Sequence, residues 1–135
     1  MNYWLVKSDP ETYNWDNLVH DKHTDWTGVR NYAARNHLRG MKKGDLIFFY
    51  HSGDHSAIVG TAKVIKEFYQ DPTTNEDAWV CVDIAPVKKL KKEITLAQIK
   101  AHKELKNFPL VRIGRLSVMP VTESEWIQVI AIGKE

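Results

Sequence analysis

Between residues 44 and 87 the chain holds three β-prone runs joined only by segments too short to contain a helix. Parallel neighbours need a crossover of about a dozen residues or more, so consecutive strands here pair antiparallel. A doubly wound parallel sheet is thereby disfavoured. The first run, residues 44–52, contains Leu46-Ile-Phe-Phe-Tyr50. The second, residues 56–68, has Gly60 inside it, which predicts a bulge or sharp bend. The third covers residues 78–87, after the polar loop Asp71-Pro-Thr-Thr-Asn-Glu-Asp77. Ser52-Gly-Asp-His-Ser56 is a turn by composition.

Other elements flank this centre. Residues 3–7 alternate and are rich in aromatic and β-branched types, which predicts a first strand. Ser8-Asp-Pro-Glu11 offers a cap, an early proline and a later glutamate, the pattern of a short helical turn. Residues 30–38 are Ala-rich and proline-free and predict a helix, with Gly40 as its left-handed cap. A helix over 95–103 is capped by Thr95 and Gln98, and a short strand covers 117–121. A last helix over 122–132 is capped by Thr122 and Glu125, with Trp126, Val129 and Ile130 as its buried stripe. Short strands, a glycine bend and peripheral helices predict an α+β domain around a strongly curved sheet or small barrel.

The 135 residues are expected to form one domain, residues 1–135, large enough to need neither disulfide nor structural metal. No apolar run is long enough to span a bilayer, and residues 1–4 do not read as a signal peptide. The single cysteine, Cys81, excludes an intrachain disulfide and is too few for a zinc knuckle. Its mid-strand apolar surroundings predict a buried, inert thiol. A reducing compartment is expected: cytoplasmic, or nuclear in a eukaryotic cell. Net charge is only +2, but it is unevenly spread. Residues 30–43 carry Arg30, Arg35, Arg39, Lys42 and Lys43 without a carboxylate, and Lys88, Lys89, Lys91 and Lys92 form a second basic stretch. Such a distribution suits a phosphate-facing side, although solvated charged faces are commoner.

Among five tryptophans, Trp4 and Trp126 lie in periodic elements and Trp79 opens a strand, so all three read as structural. Trp15 is ambiguous. Trp26 lies in the polar connection Asp25-Trp-Thr-Gly-Val-Arg-Asn-Tyr32, where its ring needs a second surface, either the core or a flat ligand. Base stacking on such a ring is worth about 1–3 kcal/mol. Ser8, Asn31, Tyr32, His51 and Ser52 are types that recognise a base edge, since amides and hydroxyls both donate and accept. Ser8 and His51 fall at the C-terminal ends of predicted strands and can share one mouth. Helix capping is the competing reading for Ser8 and Asn31.

Five segments together resemble the EVE domain family of the PUA-like superfamily: Trp4-Leu-Val-Lys-Ser-Asp-Pro10, Trp26-Thr-Gly-Val-Arg-Asn-Tyr32, Phe48-Phe-Tyr-His-Ser52, Ile58-Val-Gly60 and Arg115-Leu-Ser-Val-Met-Pro-Val-Thr122. The chain departs from the family pattern at Asp9, where glutamate is common, and at Thr27, where a small or acidic residue is usual. The resemblance implies a PUA-like pseudo-barrel of about five or six mostly antiparallel strands, related to YTH domains that hold a methylated adenine in an aromatic cage. Lys7-Ser8 matches the end of the YTH first strand, and Trp26 falls where a cage tryptophan follows. By that analogy Trp26 stacks on a modified cytosine or adenine, with Ser8, Asn31 and Tyr32 around its edge. Lys7, Arg30 and Arg35 would meet flanking phosphates, while His51, Ser52, Arg115, Leu116 and Ser117 complete the rim. The implied partner is modified DNA or RNA, without cofactor, metal or membrane, bound by a monomer or weak homodimer.

Three rivals remain open. An unmodified-RNA-binding PUA-type module would look much the same in sequence. A protein-interaction domain would turn its basic helix to an acidic partner. A nucleic-acid-processing enzyme needs a nucleophile–base pair or metal cluster. His20-Asp-Lys-His23 and His51-Ser-Gly-Asp-His55 bring metal-binding types together, but neither has the spacing of a known zinc-enzyme motif.

Overall fold

The aromatic and β-branched runs all become strands in the computed structural model, which describes residues 1–134. The strands are β1 (Tyr3–Ser8), β2 (Thr24–Asp25), β3 (Leu46–His51), β4 (Ala57–Gln70), β5 (Val80–Thr95) and β6 (Val118–Val121). They form one sheet in the order β2-β5-β4-β3-β1-β6. The α+β class and six mostly antiparallel strands are as expected, but β2 and β6 leave two free edges, so the ladder does not close into a barrel. Among the described residues the one parallel pair is β1 with β3, and the long connection between them holds two helices. Its register sets Ser8 opposite His51, so both strands end at the same rim.

Helices α1 (Trp15–Asp21) and α2 (Tyr32–Gly40) lie in that connection; α3 (Leu96–Lys100), α4 (Pro109–Arg112) and α5 (Glu123–Ile132) follow β5. The expected capping boxes are present at Thr95 with Gln98 and at Thr122 with Glu125. On α5, Val129 and Ile132 are buried, while Trp126 and Ile130 are half-buried. Trp126 stacks on Phe48 of β3 with ring centroids 3.8 Å apart, which fixes α5 against the sheet.

Four local expectations need correction. Residues 8–11 form no helical turn: Asp9 instead organises a tight turn, accepting from Glu11 N through its side chain and from Thr12 N and Tyr13 N through its carbonyl. The helix starts later, at Trp15, with a capping box between Asn14 and Asn17. Helix α2 starts at Tyr32, and Gly40 is its last residue rather than a left-handed cap, because Met41 follows in extended backbone. A Cβ at Gly40 would lie 3.1 Å from the Trp4 ring, so glycine serves close packing there. Finally, the third run continues to Thr95, taking the basic stretch into β5 beside β4.

The bend expected at Gly60 is present as a register shift between Ile58 and Gly60. Glycine is needed there because the Trp15 ring lies 2.6 Å from where a Cβ at Gly60 would stand. Trp15 is buried, and α1 is thereby pinned to β4 at Gly60. Cys81 is buried on β5, and burial pushes its thiol pKa up.

Candidate functional site

The rim where β1 ends opens into a pocket of about 480 Å³. Three segments build it. The end of β1 and the turn after it contribute Lys7, Ser8, Asp9, Thr12 and Tyr13. Strand β2 and the loop behind it supply the opposite wall, from Thr24 through Trp26 to Arg30. Ser117, just before β6, closes one side; its carbonyl accepts from Lys7 N at 2.9 Å.

Trp26 is half-buried on this wall. Its backbone N–H donates to Val82 O at 2.7 Å, extending the β2–β5 pairing by one bond. Phe49 and Tyr13 meet its ring at 79° and 77°, with centroids 5.7 Å and 6.4 Å away. Both contacts are nearly perpendicular, so neither ring is stacked parallel on the indole. The other tryptophans differ. Trp4, Trp15 and Trp79 are buried, and Trp126, also half-buried, has a parallel partner in Phe48.

The wall is tethered from behind by Asp71, whose side chain is fully buried. Its carboxylate accepts from Gly28 N at 2.8 Å, Thr73 N at 2.7 Å, Thr73 Oγ1 at 2.6 Å and the Arg30 guanidinium at 3.1 Å. Burial alone would raise its pKa, but these donors outweigh burial and hold it at about 2. Gly28, at φ +81°, makes the turn that presents its N–H to this carboxylate.

Of the residues expected at a site, the structure gathers Lys7, Ser8, Trp26, Arg30 and Ser117 around the pocket. Ser8 is buried and its hydroxyl donates to the Tyr13 carbonyl, holding the turn against the strand end rather than capping a helix. Lys7 Nζ donates to Gly114 O at 2.7 Å, and burial lowers its pKa. Arg30 reaches Thr73 as well as Asp71, so its guanidinium is already engaged.

The remaining candidates stand outside this pocket. Asn31 caps α2, accepting from Ala34 N at 3.0 Å. His51 accepts from Trp15 N through Nε2 at 3.0 Å, which caps the start of α1 and leaves the ring proton on Nδ1. Burial lowers the His51 pKa, in keeping with a neutral acceptor. Ser52 lines a neighbouring pocket of about 270 Å³ that shares Lys7. Tyr32 packs on Trp79, and Arg35 lies over Tyr32. Arg115 is exposed beyond the rim, while Leu116 is buried.

Sequence reasoning missed Thr12, Tyr13, Asp25, Thr27 and the tether Asp71. Tyr13 lies two residues before Trp15, in a segment whose signals concerned helix starts. Asp25 adjoins Trp26, and its polarity beside an aromatic was the one available clue. The histidine groups do not converge: His20 pairs with Asp21, His55 with Glu93, and His51 with the α1 backbone. Among the described residues no three His, Cys, Asp or Glu side chains are arranged to hold a metal ion. No helix among them is long and apolar enough to cross a membrane.

The EVE domain model matches residues 2–132. Human thymocyte nuclear protein 1 is 37% identical over 165 residues, spanning 97% of this chain and 73% of that protein. The solution structure of Rpa0253 from Rhodopseudomonas palustris superposes with a TM-score of 0.94 at 45% identity, covering 99% of this chain and 94% of that one. The crystal structure of human THYN1 in complex with 5-methylcytosine containing DNA superposes at 0.93 with 36% identity, covering 100% of this chain and 99% of that one.

Proposed function

Because this chain belongs to the EVE domain family, we propose that it is a non-enzymatic module that holds one modified base of a nucleic-acid strand against the Trp26 indole. The observation that carries this reading is the half-buried indole on a pocket wall, with no parallel ring of the protein upon it. The volume of about 480 Å³ falls in the range of small-ligand pockets, about 300–1,000 Å³. The capture of 5-methylcytosine DNA by human THYN1 supports a methylated cytosine as the first base to test.

The energetics favour several contacts acting together. Extruding a base from a duplex costs a few kcal/mol, and stacking on one indole returns about 1–3 kcal/mol. Hydrogen bonds from the pocket and attraction between the Lys7 ammonium and phosphate supply the rest. A buried methyl group adds about 0.8 kcal/mol, a several-fold preference. A single-stranded substrate avoids the extrusion cost. Holding rather than reacting fits the lining, where the Ser8 hydroxyl donates to a backbone carbonyl and burial raises the Tyr13 phenol above its ordinary pKa. A buried single thiol suits a reducing compartment, cytoplasmic or nuclear.

The test is fluorescence anisotropy with matched oligonucleotides, one carrying 5-methylcytosine and one plain. Trp26→Ala is expected to weaken binding about tenfold or more, and Trp26→Phe to retain part of it. Circular dichroism checks that each variant is folded. A folded Trp26→Ala protein that binds as tightly as the parent would refute the reading.

A further inference from the structure

Resting on that reading, we propose that Tyr32 forms a second stacking platform, which takes the single-stranded nucleotide flanking the base held at Trp26. Tyr32 opens α2 and is 64% exposed, the most exposed Phe, Tyr or Trp among the described residues. An exposed ring normally gains little from the fold, yet this one is held by two side chains. Trp79 supports it at 5.0 Å between centroids, with 33° between the planes. The Arg35 guanidinium lies 4.9 Å from the Tyr32 centroid and 5.9 Å from that of Trp79. Arg35 is itself fixed, donating to Ala78 O and to Asn36.

The platform is continuous with the pocket through Arg30, which lines the pocket and lies 5.6 Å from the Trp79 ring. A strand leaving the pocket past Arg30 therefore meets aromatic and cationic surface rather than bare backbone. Residues 30–43 add positive charge without a carboxylate, which suits the phosphates of such a strand. An aromatic face beside guanidinium groups accepts any base, because every base has a π-face. The pocket would then identify one base while the platform grips its neighbour without regard to sequence.

Flank removal tests this. One short single-stranded oligonucleotide carries 5-methylcytosine between ordinary nucleotides; a second carries it between abasic residues. Tyr32→Ala is expected to weaken binding of the first about tenfold and leave the second unchanged, while Tyr32→Phe restores the first. Trp26→Ala is expected to weaken both. Equal loss on the two oligonucleotides, or no loss on either, would overturn the platform. If Trp26→Ala changes neither while Tyr32→Ala still discriminates flanks, the pocket reading fails and the stacking surface stands.

Discussion

Replacing Asp71 with asparagine removes a charge from the tether behind the pocket wall while keeping its shape. The wild-type carboxylate has a pKa of about 2 against an ordinary value of 3.8. That depression corresponds to about 2 kcal/mol of stability at neutral pH, because each unit is worth about 1.4 kcal/mol. The contribution is complete above the unfolded-state value and is lost as pH falls toward the folded one. By pH 3 about half should remain. Urea denaturation at pH 7 is therefore expected to show Asp71→Asn less stable by about 2 kcal/mol with an unchanged slope, and the gap should halve at pH 3. An identical deficit at both pH values would mean that shape, not charge, carries the tether. No deficit at either would refute the argument. The same variant should also weaken oligonucleotide binding, since Gly28 and Arg30 lose their shared anchor beside Trp26.

Two further outcomes follow from the packing of α1. Gly60→Ala drives a methyl group into the buried Trp15 ring and is expected to cost about 1–3 kcal/mol in chemical denaturation; an unchanged midpoint would show that the ring can yield. Burial lowers the His51 pKa in the folded protein, so the unfolded chain takes up its proton first and stability should decline as pH falls below about 6.5. His51→Gln should flatten that decline between pH 7 and pH 5, and an unaltered pH profile would remove His51 from the cause.

Much of the chain's architecture is legible in its residues, for identifiable reasons. Capping boxes at Thr95 and Thr122 are local chemistry, complete within one turn. The bend at Gly60 could be read from an isolated glycine in a strand, whereas the Trp15 ring that packs on that glycine arrives from a distant segment. Strand β5 runs past its hydrophobic portion because Lys88 and Lys89 still pair with β4, and a ladder is not visible in side-chain polarity. Strand β2 is two residues long and exists only through β5. At the site, the aromatic in a polar connection, Trp26, lines a pocket wall. Polar side chains were harder to place, because backbone ends compete for them: Asn31 and His51 each satisfy a helix terminus.

The sheet order has a consequence for how the chain assembles. Strand β1, the earliest in sequence, sits between β3 and β6, the latter more than a hundred residues away. A nascent chain therefore carries one unpaired hydrophobic edge on β1 until β6 has been made. Sequence-distant pairing of this kind slows folding, and C-terminal truncations that remove Val118–Val121 should leave β1 open to aggregation.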